Sequence, residues 1–133
     1  MNIKRYALST IVGFVFTLMF DYVVHGVLLV PTYEQTPQLW RPLEEMNNYI
    51  PFMNAMGLFV TATLAFIYTR HHEGKGITED VRFGVMFGLL LGLLQLNAYA
   101  WMPISLSLGL SWFAAEFVKT VVLGVIFSLL YKK

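Results

Sequence analysis

Four titratable side chains stand inside stretches made otherwise of apolar residues: Asp21 and His25 in the first stretch, Glu116 and Lys119 in the last. Their spacings, D-x-x-x-H and E-x-x-K, place the members of each pair on one face of a helix. In a bilayer an ionised group at mid-helix costs from about 2.5 kcal/mol upward, so such groups turn inward and pair. Counted at about 1.5 Å per residue, these four fall with Asn54, Gln95 and Asn97 in the outer half of the membrane. The expected product is a polar intramembrane pocket opening outward.

Two readings stand for that pocket. In the first it binds a ligand: a metal ion, a polar head group, a quinone or a proton. In the second it is a polar lock, in which Lys119 neutralises Asp21 or Glu116 and the amides fill the remaining hydrogen bonds. A metal would draw on Asp21, His25 and Glu116, with Lys119 opposing it. Haem would need His25, the only histidine expected within the membrane, plus a methionine, a second chain or five-coordination. With Asp21 buried in the outer pocket, Asp21→Leu should cost more than Asp21→Leu with Lys119→Leu, because the single change strands a charge. The sequence holds no nucleophile elbow, P-loop, HExxH or dinucleotide fingerprint. Ser105, Ser107 and Ser111 read as turn and cap residues, and His71 and His72 as solvated.

The elements that must position these residues follow from composition. Of 133 residues, 57% are hydrophobic and only 13% charged, about half the charge of a typical soluble domain. The mean hydropathy is +0.63. A disordered chain and a small soluble domain are both excluded, and the bilayer is the expected partner. A net charge of +1 without a basic patch argues against nucleic acid. The absence of cysteine removes disulfides and thiolate metal sites.

Four apolar segments, at about 7–30, 50–68, 83–102 and 108–131, are each near the roughly 20 residues that span the hydrocarbon core. They are continuously apolar rather than alternating, which predicts an all-α, single-domain bundle of four transmembrane helices over 1–133. The first segment is read as retained, since Asp21 interrupts it and no small-x-small cleavage site follows. Lys4, Arg5, Arg70, Lys75, Arg82, Lys132 and Lys133 flank one side, whereas the other two loops hold only Arg41. The excess of basic residues on cytoplasmic loops then puts both termini inside.

The outer loop, 31–49, is expected to carry a short interfacial helix starting at Pro42, with Trp40, Leu43, Met46 and Ile50 on its apolar side. Thr78 reads as the N-cap of the third helix, with Glu79 and Asp80 in its first turn. Trp40, Trp101 and Trp112 are expected at the outer boundary. Each helix carries a stripe of small or polar residues: Gly13, Thr17, Asp21 and His25; Asn54, Gly57, Thr61 and Ala65; Gly84, Gly88 and Gly92, continuing to Gln95 and Tyr99; Glu116, Thr120, Gly124 and Ser128. Small residues let membrane helices approach closely. The glycine stripe of the third helix suits a neighbour in the same chain, or else a second copy in a homodimer.

Asp21-Tyr22-Val23-Val24-His25-Gly26, Gln35 to Pro42 with Glu44-Glu45-Met46, Arg82-Phe83-Gly84 and Met102-Pro103-Ile104 occur together. With these stretches the chain resembles a group of small four-helix bacterial membrane proteins, similar in style to the domain-of-unknown-function family numbered 1761. The resemblance implies a multi-pass protein of the bacterial inner (plasma) membrane and implies no activity or cofactor. It also draws Asp21, His25, Trp40 and Arg41 into one outer constellation, with Arg41 capping the pocket through Asp21 or Glu116. The function expected is a non-catalytic binding or accessory subunit, alone, as a homodimer or in a larger membrane complex. The alternatives are a small membrane enzyme or redox protein acting on a lipid, quinone or metal, and a homo-oligomeric channel.

Overall fold

A computed structural model describes residues 1–131, and Lys132 and Lys133 lie outside the described residues. The described chain is helical, with no strand. Its elements are α1 (Ile3–Val23), running on into a π-helical turn (Val24–Leu28); α2 (Val30–Glu34); a 3-10 turn (Pro37–Leu39); α3 (Leu43–Asn47); α4 (Ile50–His71); α5 (Ile77–Leu96); α6 (Ala98–Trp101); and α7 (Leu106–Leu130). Four helical stretches are long and apolar enough to cross a membrane: Ile3–Leu28, Ile50–His71, Ile77–Trp101 and Leu106–Leu130.

The helix ends follow from local chemistry. Asn2 caps α1 by accepting the Arg5 N–H at 3.1 Å, so this helix begins before the apolar run does. Ser105 caps α7 by accepting from the Leu108 N–H at 3.2 Å, satisfying one of the donors a helix start leaves open. At α5 the cap is Gly76, at φ +88°, and Thr78 sits inside the helix instead. A left-handed glycine makes the sharp entry here, which frees Glu79 to fold back onto the preceding turn.

The main contacts run α4 to α1, α1 to α7, and α7 to α5. The tightest seam lies between α5 and α7. A Cβ on Gly84 would stand 2.6 Å from the Cα of Val121, and one on Gly88 would stand 3.0 Å from the Phe117 carbonyl oxygen. One on Gly124 would meet the Asp80 carbonyl oxygen at 2.7 Å. The glycine stripe is therefore used within the chain, as the first of the two sequence readings has it.

Leu64, Ala65, Tyr68, Leu123, Phe127 and Tyr131 form the main core. This core lies toward the end that also holds both ends of the described residues, where the Asn2 N–H donates to the Tyr131 hydroxyl at 3.0 Å. A smaller cluster of Ala98, Ile104 and Leu108 at the opposite end receives Tyr33, Leu39 and Trp40 from the long loop. These are called below the terminal end and the loop end.

Candidate functional site

At the loop end, α1 and α7 bring three charges together. The Lys119 ammonium lies 2.9 Å from Asp21 Oδ1 and 2.9 Å from Glu116 Oε2. The Lys119 and Glu116 side chains are mostly buried, whereas that of Asp21 is 38% exposed. Two carboxylates thus share one ammonium, a formal excess of one negative charge. His25 stands one turn beyond Asp21 on the π-helical segment, the kind of wide turn that recurs at functional sites.

The His25 side chain is drawn toward the loop. Its Nδ1 hydrogen-bonds the Tyr33 hydroxyl at 2.7 Å, and the Trp112 indole N–H donates to that same oxygen at 2.9 Å. Trp40 packs edge-on against Tyr33 and against Trp112, with ring centroids 5.2 and 6.2 Å apart. Burial pushes the Tyr33 phenol above its ordinary pKa, partly offset by the Trp112 hydrogen bond. Trp101 is exposed, but Trp40 and Trp112 are half-buried against each other. All three tryptophans lie at the loop end.

Several expected members are elsewhere. Arg41 pairs with Glu45 and covers the Tyr49 ring at 4.4 Å, so its guanidinium serves the loop and does not cap Asp21 or Glu116. Asn54, Gln95 and Asn97 are exposed. They lie at the loop-end extremities of α4 and α5, away from the Asp21–Lys119–Glu116 cluster between α1 and α7. A metal on Asp21, His25 and Glu116 is also disfavoured. The Lys119 ammonium occupies the space between the carboxylates, and the three do not come close enough to share an ion.

The terminal end holds a cluster that the sequence reading missed. Asp80 is 1% exposed, and both of its carboxylate oxygens are engaged. The Tyr68 hydroxyl donates to Oδ1 at 2.6 Å, and the Ser128 hydroxyl donates to Oδ2. His72 Nδ1 lies 3.0 Å from the Tyr68 oxygen, 3.4 Å from Asp80 Oδ1 and 3.8 Å from Glu79 Oε2. Glu79 in turn accepts the backbone N–H groups of Glu73 and Lys75, at 2.6 and 2.8 Å. His71 is held apart, with Nδ1 on the Ile67 carbonyl at 2.9 Å.

Beside this cluster α4 and α5 part around a cavity of about 390 Å³. Tyr68, Phe83 and Phe87 line its apolar side, and His72, Glu79 and Arg82 line its polar side. His72 is thus enclosed rather than solvated, and Asp80, in the first turn of α5, is buried. The available sequence signal was the pair of carboxylates, Glu79 and Asp80, following a Tyr-x-x-x-His face across the short α4–α5 turn. No family model, curated protein or solved structure matches the chain.

Proposed function

We propose that this chain is a multi-pass protein of a bacterial inner membrane, with both termini and the α4–α5 turn in the cytoplasm. It serves as a non-catalytic binding or accessory subunit through the loop-end cluster of Asp21, His25, Glu116 and Lys119. The observation that carries this reading is the formal charge imbalance: two carboxylates share one ammonium, and the Asp21 side chain is 38% exposed. An uncompensated charge held within an apolar span is costly, which is why intramembrane ionisable groups mark functional positions. One excess negative charge beside a histidine suits a cationic group, such as an amine or a protonated head group. The bacterial inner membrane rests on the resemblance, and the orientation on the basic residues.

The polar lock is the second reading, favoured by the 2.9 Å contact that Lys119 makes with each carboxylate. Native mass spectrometry of the protein released from mild detergent separates the two. A defined extra mass that disappears in Asp21→Asn and Glu116→Gln supports binding. A bare chain supports the lock, and the same spectrum reads whether the chain is a homodimer.

A further inference from the structure

We propose that His72, Glu79 and Asp80 form a binding site for a divalent cation of the zinc class, at the terminal end and separate from the loop-end cluster. One imidazole nitrogen and two carboxylate oxygens meet there, all within 4.8 Å of one another. The side chains are 8%, 10% and 1% exposed, in that order. Four ligands at zinc distances of about 2.1 Å on a tetrahedron are separated by about 3.4 Å. The separations from His72 Nδ1, 3.4 Å to Asp80 and 3.8 Å to Glu79, already approach that edge. An ion entering the site would draw the three side chains together from within 4.8 Å of one another.

The carboxylates are also oriented in the way ligating carboxylates usually are, by outer hydrogen bonds that fix their direction. Tyr68 and Ser128 hold Asp80, while two backbone N–H groups hold Glu79. A carboxylate accepts at about four lone-pair positions, so each keeps capacity for an ion. Tyr68 has one hydroxyl proton and gives it to Asp80, so without an ion His72 Nδ1–H donates to the Tyr68 oxygen. Binding a cation would turn His72 Nδ1 away from the Tyr68 oxygen and toward the two carboxylates, and would leave the Tyr68–Asp80 bond intact. His72 and Glu79 also line the neighbouring cavity, which leaves room for water as a fourth ligand.

The test uses the full chain in detergent, stripped with a chelator and then dialysed against Zn²⁺, with bound zinc per chain read by elemental mass spectrometry. One zinc per chain is expected. His72→Gln and Glu79→Gln should each weaken binding by more than about tenfold, the lower bound for losing even an outer-shell partner. His71→Gln and His25→Gln should bind as the unaltered chain does, with helix content by circular dichroism confirming that all four variants fold. The proposal is overturned if the unaltered chain binds no more zinc than His72→Gln. Loss of the zinc in His25→Gln but not in His72→Gln overturns it as well, and would move the metal to the loop end.

Discussion

Lys119 touches two carboxylates, and that third partner changes what a mutation does. With Asp21 and Lys119 alone, removing Asp21 would strand an ammonium. With Glu116 also 2.9 Å away, Asp21→Leu leaves a neutral Lys119–Glu116 pair. The stranding substitution is instead Lys119→Met, which leaves two carboxylates in an apolar span without a cation. Breaking a buried pair from one side costs about 3–5 kcal/mol, and we expect Lys119→Met to approach that range. Asp21→Asn, at a side chain 38% exposed, should cost about 1 kcal/mol or less, as for exposed pairs. Thermal unfolding in micelles checks the order, and equal losses would mean that Lys119 pairs with Asp21 alone. The pairing of Asp21 with Lys119 was legible in the sequence because charges in apolar runs have few places to go. The choice of partner for Arg41 was not, because Glu45 one turn along the loop competes with any residue of the pocket.

Among the elements, α5 and α7 show how small residues set helix order. Gly84 and Gly88 let the α7 backbone approach so closely that a Cβ on Gly84 would meet Val121 Cα at 2.6 Å. The neighbouring atom is backbone and cannot rotate away, so Gly84→Ala should force the helices apart and cost about 1–3 kcal/mol, as overpacking does. Gly57→Ala is the contrast: its nearest contact would be the Phe14 ring at an ordinary 3.6 Å, and α4 should absorb it with little loss. Unfolding of the two variants in the same detergent compares them directly, and equal tolerance would show that the α5–α7 seam is looser than described. The stripes were readable at this seam because Gly-x-x-x-Gly spacing is specific to close approach. They misled at Asn54 and Gln95, which are exposed although the spacing of each stripe runs on through them. The terminal-end cluster escaped for a related reason: its partners come from α4, α5 and α7, and no single segment contains enough of them to form a pattern.

On the scale of the whole molecule, four helices are long and apolar enough to cross a membrane, and the Asn2–Tyr131 contact brings the two described ends together. Lys4, Arg5, Arg70, Lys75 and Arg82 flank that same end, whereas the long loop carries Arg41 among Glu34, Glu44 and Glu45. Basic residues are retained on the cytoplasmic side, so the cavity between α4 and α5 should face the cytoplasm and the Asp21–Lys119–Glu116 cluster should lie near the outer face. The chain has no cysteine, which makes single substitutions clean reporters. Gln38 in the long loop and Glu73 in the α4–α5 turn are both exposed. In intact cells, Gln38→Cys is expected to react with a membrane-impermeant maleimide, and Glu73→Cys is expected to react only after the membrane is opened. The opposite pattern would invert the protein, giving the His72 cluster access to extracellular ions and turning the loop-end charges toward the cytoplasm.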